Sequence, residues 1–195
     1  MRLFIALDLD DSIREKITRF MDGVPAFAPD ARWVRPESLH VTLKFIGQWP
    51  DERLAELRDS LQSIRADGFE VGFGDYGFFP TAKAPRVFWI GIHSGPQLAS
   101  LAATIDTKLS SLGIAPEEHA FSPHLTLARR SGGSGSPRKS KDDHPRQSFS
   151  RLQEKLAAMS KLDFGAMTAR QFFLYQSELS PIGSRYTKLS AFPLT

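Results

Sequence analysis

Two short stretches of this sequence share one pattern: His40-Val41-Thr42-Leu43 and His124-Leu125-Thr126-Leu127 both read His-x-Thr-Leu with an apolar x. An unperturbed imidazole titrates near pH 6.5, so a pair can supply one proton donor and one proton acceptor near neutrality. The threonine hydroxyls can donate hydrogen bonds to oxygens on which charge accumulates. Such a set suits general acid-base chemistry, in which one reacting group loses a proton while another gains one. The residues alone do not say which imidazole plays which part. A single His-x-Thr would read as an incidental strand histidine satisfied by a threonine or a carbonyl. Two copies, both extended to Leu and both in apolar runs, weigh against that. His93, beside Ser94-Gly95, His119, after two glutamates, and His144, within a basic segment, lack the pattern. No metal or other cofactor is expected. There is no His-Glu-x-x-His and no cysteine, and two separated histidines supply too few ligands for a catalytic zinc.

Each copy needs a strand to present it. Alternation places His40 and Thr42 on one face and Val41 and Leu43 on the other, and likewise His124 and Thr126 against Leu125 and Leu127. If the two strands lie side by side, four polar groups converge on one cleft. Lys44 has the parity of His40 and is a candidate to line that cleft, with a solvent-facing strand lysine as the alternative. Phe45, Tyr76, Phe78 and Phe79 offer flat faces on which a planar ligand could stack. Further strand-like runs span Leu3–Leu9, Glu70–Phe79, Arg86–Ile92, Ala169–Gln176 and Tyr186–Phe192. Apolar residues at helical spacing mark four helices, carried by Ile13 to Met21, Leu54 to Ile64, Leu98 to Leu112 and Phe149 to Met159. Strands and helices therefore interleave throughout. No glycine-rich phosphate fingerprint opens a helix, and Gly72-Phe73-Gly74 reads as a strand irregularity.

The chain resembles the two-histidine (2H) phosphoesterase superfamily, and within it the RNA 2',3'-cyclic phosphodiesterases, also called 2'-5' RNA ligases. The resemblance covers nearly the whole chain. It rests on Arg2-Leu3-Phe4-Ile5-Ala6-Leu7, on the first motif continuing as Lys44-Phe45-Ile46-Gly47, on Pro123 to Arg129, and on Leu174-Tyr175-Gln176-Ser177 with Tyr186. It implies an α+β, bilobal fold: two pseudo-symmetric antiparallel sheets with outer helices around a central cleft. It also implies metal-independent hydrolysis of RNA 2',3'-cyclic phosphate ends to 2'-phosphomonoesters, with His40 as general acid, His124 as general base, and Thr42, Thr126 and Arg129 on the phosphate. Counted from His124, Arg129 has the wrong parity for the cleft, so a bulge or the strand's end near Ala128 must turn it back. Two alternatives are 2'-5' joining of RNA ends at the same site and a non-catalytic RNA-end binding module.

Composition agrees with an ordinary globular chain: 195 residues, 41% hydrophobic and 24% charged, predict a single bilobal domain over 1–195. The apolar run at the N-terminus ends in Asp8 after a few residues, and no segment approaches the roughly 20 apolar residues of a membrane span, so a monomeric cytoplasmic protein is the expectation. The formal net charge of +3 resides wholly between Arg130 and Gln147, where five basic residues face two acidic ones. The Gly/Ser composition of 131–137 predicts a flexible basic loop at about 131–147, either steering substrate or merely solvated. The expected partners are RNA with 2',3'-cyclic phosphate ends or small cyclic nucleotides, without membrane or metal.

Overall fold

The computed structural model of the chain describes residues 1–130, 149–180 and 183–195. The basic segment predicted at 131–147 thus lies outside the described residues. The fold is α+β, with nine strands in two antiparallel sheets among the described residues. One sheet has the order β3-β1-β8-β9, from β1 (Arg2–Asp8), β3 (His40–Gln48), β8 (Gln171–Ser180) and β9 (Gly183–Pro193). The other has the order β2-β6-β5-β4-β7, from β2 (Ala31–Trp33), β4 (Phe69–Phe79), β5 (Val87–Ser94), β6 (His124–Arg130) and β7 (Asp163–Ala169).

A repeated unit generates the two halves. β1, helix α1 (Asp11–Gly23) and β3 form one β-α-β passage; β5, helix α3 (Pro96–Ser110) and β6 form the other. In each, the second strand returns antiparallel beside the first and carries a His-x-Thr-Leu motif. Leu3 to Leu7 of β1 form an unbroken apolar run because both faces of this interior strand are covered. The helices form where apolar residues recur at one face: Ile13, Ile17 and Met21 in α1; Leu57 and Leu61 in α2 (Leu54–Gln62); Leu98, Leu101, Ile105 and Leu109 in α3; Leu152 and Leu156 in α4 (Ser150–Ala157). Pro96 opens α3, where its missing N–H costs no helical bond, and Gly113 follows with φ of +88°.

The two halves share one core. A single cluster joins Leu3, Val41 and Leu174 of the first sheet to Val71, Phe88 and Leu125 of the second. Helix α1 packs on β7, while α3 packs on β3, so each helix braces the strand order of the opposite sheet. All four predicted helices form. Two strands escape prediction: β2 has three residues, and β7 is built on Gly165, at φ +87°, and alanines.

Candidate active site

β3, an edge strand of its sheet, comes against β6 of the other. This brings both motifs to one cleft of about 440 Å³, lined by His40, Thr42, His124, Thr126, Phe45 and Arg129 among others. The four polar side chains of the repeated motif thus converge.

Both motif strands carry the same irregularity. In β1–β3, Thr42 stands opposite Ala6 and Lys44 opposite Ile5, leaving Leu43 as an extra residue; in β6–β5, Thr126 stands opposite Trp89 and Ala128 opposite Phe88, leaving Leu127 extra. A bulge of one residue reverses side-chain parity beyond it. Before the bulge, histidine and threonine face the cleft. After it, the fifth residue from each histidine does so, Phe45 in one strand and Arg129 in the other. The bulge resolves the parity conflict at Arg129.

The same bulge overturns the expectation for Lys44. Simple alternation directs it into the cleft, but it turns to the opposite face and is 3% exposed. There its Nζ donates to the Ala115 carbonyl at 2.8 Å and pairs with Asp106 Oδ1 at 2.6 Å and Glu117 Oε1 at 3.2 Å. Tyr76, expected to offer a flat face to the cleft, does not line it. Asp75, at φ 55°, is the extra residue of a bulge in β4, with Gly74 opposite Gly91 and Tyr76 opposite Ile90. Beyond it the core-facing parity passes to Tyr76 and Phe78, whose rings pack near Phe88 at 6.4 and 5.3 Å. Of the four candidate stacking aromatics, Phe45 lines the cleft and is 58% exposed, while Phe79 packs edge-on to His124 at 4.9 Å.

Each imidazole is fixed in the same way. His40 Nδ1 lies 2.7 Å from the Ser38 carbonyl and His124 Nδ1 lies 2.8 Å from the Ser122 carbonyl. A carbonyl can only accept, so Nδ1 carries the proton and Nε2 is left to a ligand. Around His40 stand Phe4, Tyr186 and Tyr175; around His124 stand Phe79 and Trp89. A Cβ on Gly77 would lie 2.1 Å from the Trp89 ring, so the indole lies across that glycine. Sequence reading passed over Trp89, although it alternates with Phe88 and Ile90, which are core. Arg14 of α1 donates to Pro36 O and Leu39 O and also pairs with Asp8, so it holds the turn that ends in Ser38.

Burial pushes both imidazoles below the ordinary value of 6.5; the carbonyl hydrogen bonds oppose this, and the Arg129 guanidinium reinforces it. His40 differs in one respect. Asp8 stands directly opposite it in the β1–β3 ladder and raises its proton affinity, whereas Gly91 stands opposite His124. Asp8 is itself ion-paired to Arg14 and Lys188. The carboxylate thus offsets part of the lowering at His40, with no counterpart at His124. Among the described residues, no group of three or more histidines, aspartates or glutamates is placed to hold a metal ion, and no helix is long and apolar enough to cross a membrane.

Known proteins share this architecture. A Thermus thermophilus crystal structure superposes with a TM-score of 0.78 at 26% identity, covering 100% of this chain and 98% of that one. Escherichia coli LigT complexed with 3'-AMP superposes with a TM-score of 0.76 at 27% identity, covering 100% and 98%. An Archaeoglobus fulgidus protein named RNA 2',3'-cyclic phosphodiesterase is 34% identical over 192 residues, which is 98% of this chain and 99% of the relative. The family model described as LigT like Phosphoesterase matches twice, at residues 7–89 and 90–186, so the two matches divide the chain between its two motifs. With a matching repeat in each half and full-length relatives of the same architecture, the chain belongs to the LigT-like phosphoesterases, within the 2H superfamily.

Proposed function

We propose that this protein hydrolyses RNA 2',3'-cyclic phosphate ends to 2'-phosphomonoesters, by proton transfer between two histidines and without a metal. The observation that carries the reading is the duplicated constellation. Each imidazole is pinned at Nδ1 by a carbonyl two residues upstream, and the two share one cleft with two threonines and an arginine. The relatives named RNA 2',3'-cyclic phosphodiesterase support the substrate class.

In the proposed reaction, His124 Nε2 takes a proton from water as the water oxygen bonds to phosphorus. His40 Nε2 gives a proton to the ribose 3' oxygen as its bond to phosphorus breaks. The Asp8 carboxylate beside His40, and its absence beside His124, supports this direction. Thr42 and Thr126 donate to the non-bridging oxygens, and Arg129 offsets the charge that grows there. Phe45, exposed at the cleft, is the surface offered to the terminal base.

The test is incubation of purified, chelator-treated protein with an RNA ending in a 2',3'-cyclic phosphate, followed by identification of the product. Undiminished formation of a 2'-phosphate is expected. Activity lost to the chelator and restored by a divalent ion would overturn the two-histidine mechanism, and a 3'-phosphate product would overturn the assignment of the leaving oxygen.

A further inference from the structure

The sheet that carries His124 has a strand the other lacks. β2 lies at its edge beside β6, whereas β3 is itself an edge strand. In the β2–β6 ladder Arg32 stands directly opposite Arg129, and Ala31 opposite Arg130. Directly opposed residues project from the same face, so two guanidinium groups share one surface, a like-charge pairing that costs stability. An anion lying between them relieves that cost.

The surface there is a groove of about 360 Å³, lined by Arg32, Arg35, Arg129, Arg130, Val34 and Tyr186, among others. It shares Arg129, Val34 and Tyr186 with the catalytic cleft and is continuous with it. Among the described residues that line it there is no carboxylate. Two neighbouring recesses that also reach Tyr186 carry acids, Asp8 and Glu37 in one and Glu37 and Glu178 in the other, and Arg35 borders the second as well as the groove. The cleft's surroundings are therefore polarised, cationic towards β2 and mixed elsewhere.

We infer that this groove receives the phosphodiester backbone of the nucleotides 5' of the reacting end, so that the enzyme binds single-stranded oligonucleotides through β2. The inference rests on the reading that the cleft holds a cyclic phosphate. A terminal 2',3'-cyclic phosphate occupies both ribose oxygens that could continue the chain, so the strand leaves only through its 5' oxygen, with a phosphate for each further nucleotide. Planar guanidinium forks suit such phosphates. A cyclic mononucleotide has nothing to place there.

The double variant R32Q/R35Q tests this, since both side chains are exposed and lie outside the catalytic cleft. Two readouts are needed: the binding of a 5'-labelled single-stranded RNA across a salt series, and turnover of an oligonucleotide and of a cyclic mononucleotide. For single strands each neutralised phosphate contributes about 0.7 to the slope of log affinity against log salt, so losing two contacts lowers the slope by about 1.4. Between 50 and 200 mM salt the intact protein then loses about sevenfold more affinity than the variant. KM for the oligonucleotide rises at low salt, and turnover of the cyclic mononucleotide is unchanged. An unaltered salt slope with turnover intact would overturn the groove and leave the proposed function standing. A lowered slope in a protein that hydrolyses neither substrate would do the reverse. Equal damage to both substrates would show that the arginines serve the cleft itself, and would overturn the inference.

Discussion

Replacing Lys44 with Met separates two accounts of this residue. Simple strand alternation sends the ammonium into the cleft, where its loss would weaken substrate binding and leave stability alone. The bulge at Leu43 sends it instead to a site where it is 3% exposed, with carboxylate oxygens of Asp106 and Glu117 at 2.6 and 3.2 Å. Removing one partner of a fully buried pair costs about 3–5 kcal/mol. Here the side chains of Asp106 and Glu117 are 25% and 51% exposed and keep part of their hydration, and Met refills the volume of the lysine stem. The expected loss is therefore about 2–3 kcal/mol, which for a chain of this size lowers Tm by roughly 4–12 °C. Adding Asp106→Asn removes the stranded charge and should recover about 1 kcal/mol, a coupling within the range for contacting residues. Thermal and urea unfolding of wild type, both single variants and the double variant measure this. Turnover of a cyclic mononucleotide, assayed well below the variant's Tm, should stay within about twofold of wild type, because Lys44 faces away from the reacting groups. An unchanged Tm together with a tenfold rise in KM would refute the bulge argument and return Lys44 to the cleft.

Three further outcomes follow from the site. His40→Ala and His124→Ala should each lower kcat by about two to four orders of magnitude, and the double variant should be little worse than either, because an acid and a base working as a unit are not additive; steady-state and single-turnover rates would show it, and additive losses would mean independent roles. On the proposed roles, the profile of kcat/KM against pH should be a bell: activity falls on the acid side as His124, the proposed base, becomes protonated and on the alkaline side as His40, the proposed acid, loses its proton. Burial and Arg129 move both limbs below the ordinary imidazole range, Asp8→Asn should move the His40 limb to still lower pH, and a profile flat between pH 5 and 9 would contradict two titrating histidines. Gly77→Ala should cost about 1–3 kcal/mol and reduce kcat, since the added methyl displaces Trp89 from beside Phe79 and His124; unchanged unfolding and rates would show that the indole has room to move.

What sequence reading could and could not reach follows from the period it relies on. The helices and most strands were legible because apolar residues such as Ile13, Ile17 and Met21, or Leu3 to Leu7, report faces that really are buried. The His-x-Thr pairs were legible because both residues precede the bulge of their strand, where alternation still holds. Lys44 is misplaced by alternation because it lies just beyond an extra residue, Leu43, that shifts parity by one, whereas Tyr76 is put forward for its flat ring alone, which does not say which face it takes. Counting cannot see such a shift, except where a family motif requires a residue to face the wrong way, as at Arg129. The carboxylate beside His40 was hidden for a different reason. Asp8 meets it through a ladder between strands 32 residues apart in the chain, a pairing fixed by the tertiary fold.

The duplicated backbone accounts for one half of the proposed chemistry, and its unlike residues account for the other. A twofold arrangement delivers two imidazoles with the same tautomer, the same carbonyl anchor and a threonine on the same face, so geometry alone would make them interchangeable. Hydrolysis of a cyclic diester needs them to differ, one charged and one neutral, with the leaving oxygen on a defined side. The differences occur at equivalent positions of the two repeats. Opposite the histidines stand Asp8 and Gly91, and at the fifth residue beyond them stand Phe45 and Arg129. The carboxylate stands beside the imidazole that is to donate. The guanidinium disfavours protonation of both rings and adds positive charge to the cleft, so the carboxylate alone separates the two imidazoles. The aromatic takes the place across the cleft that an arginine fills in the other repeat, so phosphate and base meet different walls. In the proposed reaction, substrate direction follows from side chains set on an otherwise symmetric frame, and Asp8→Asn would weaken a preference that the backbone by itself does not hold.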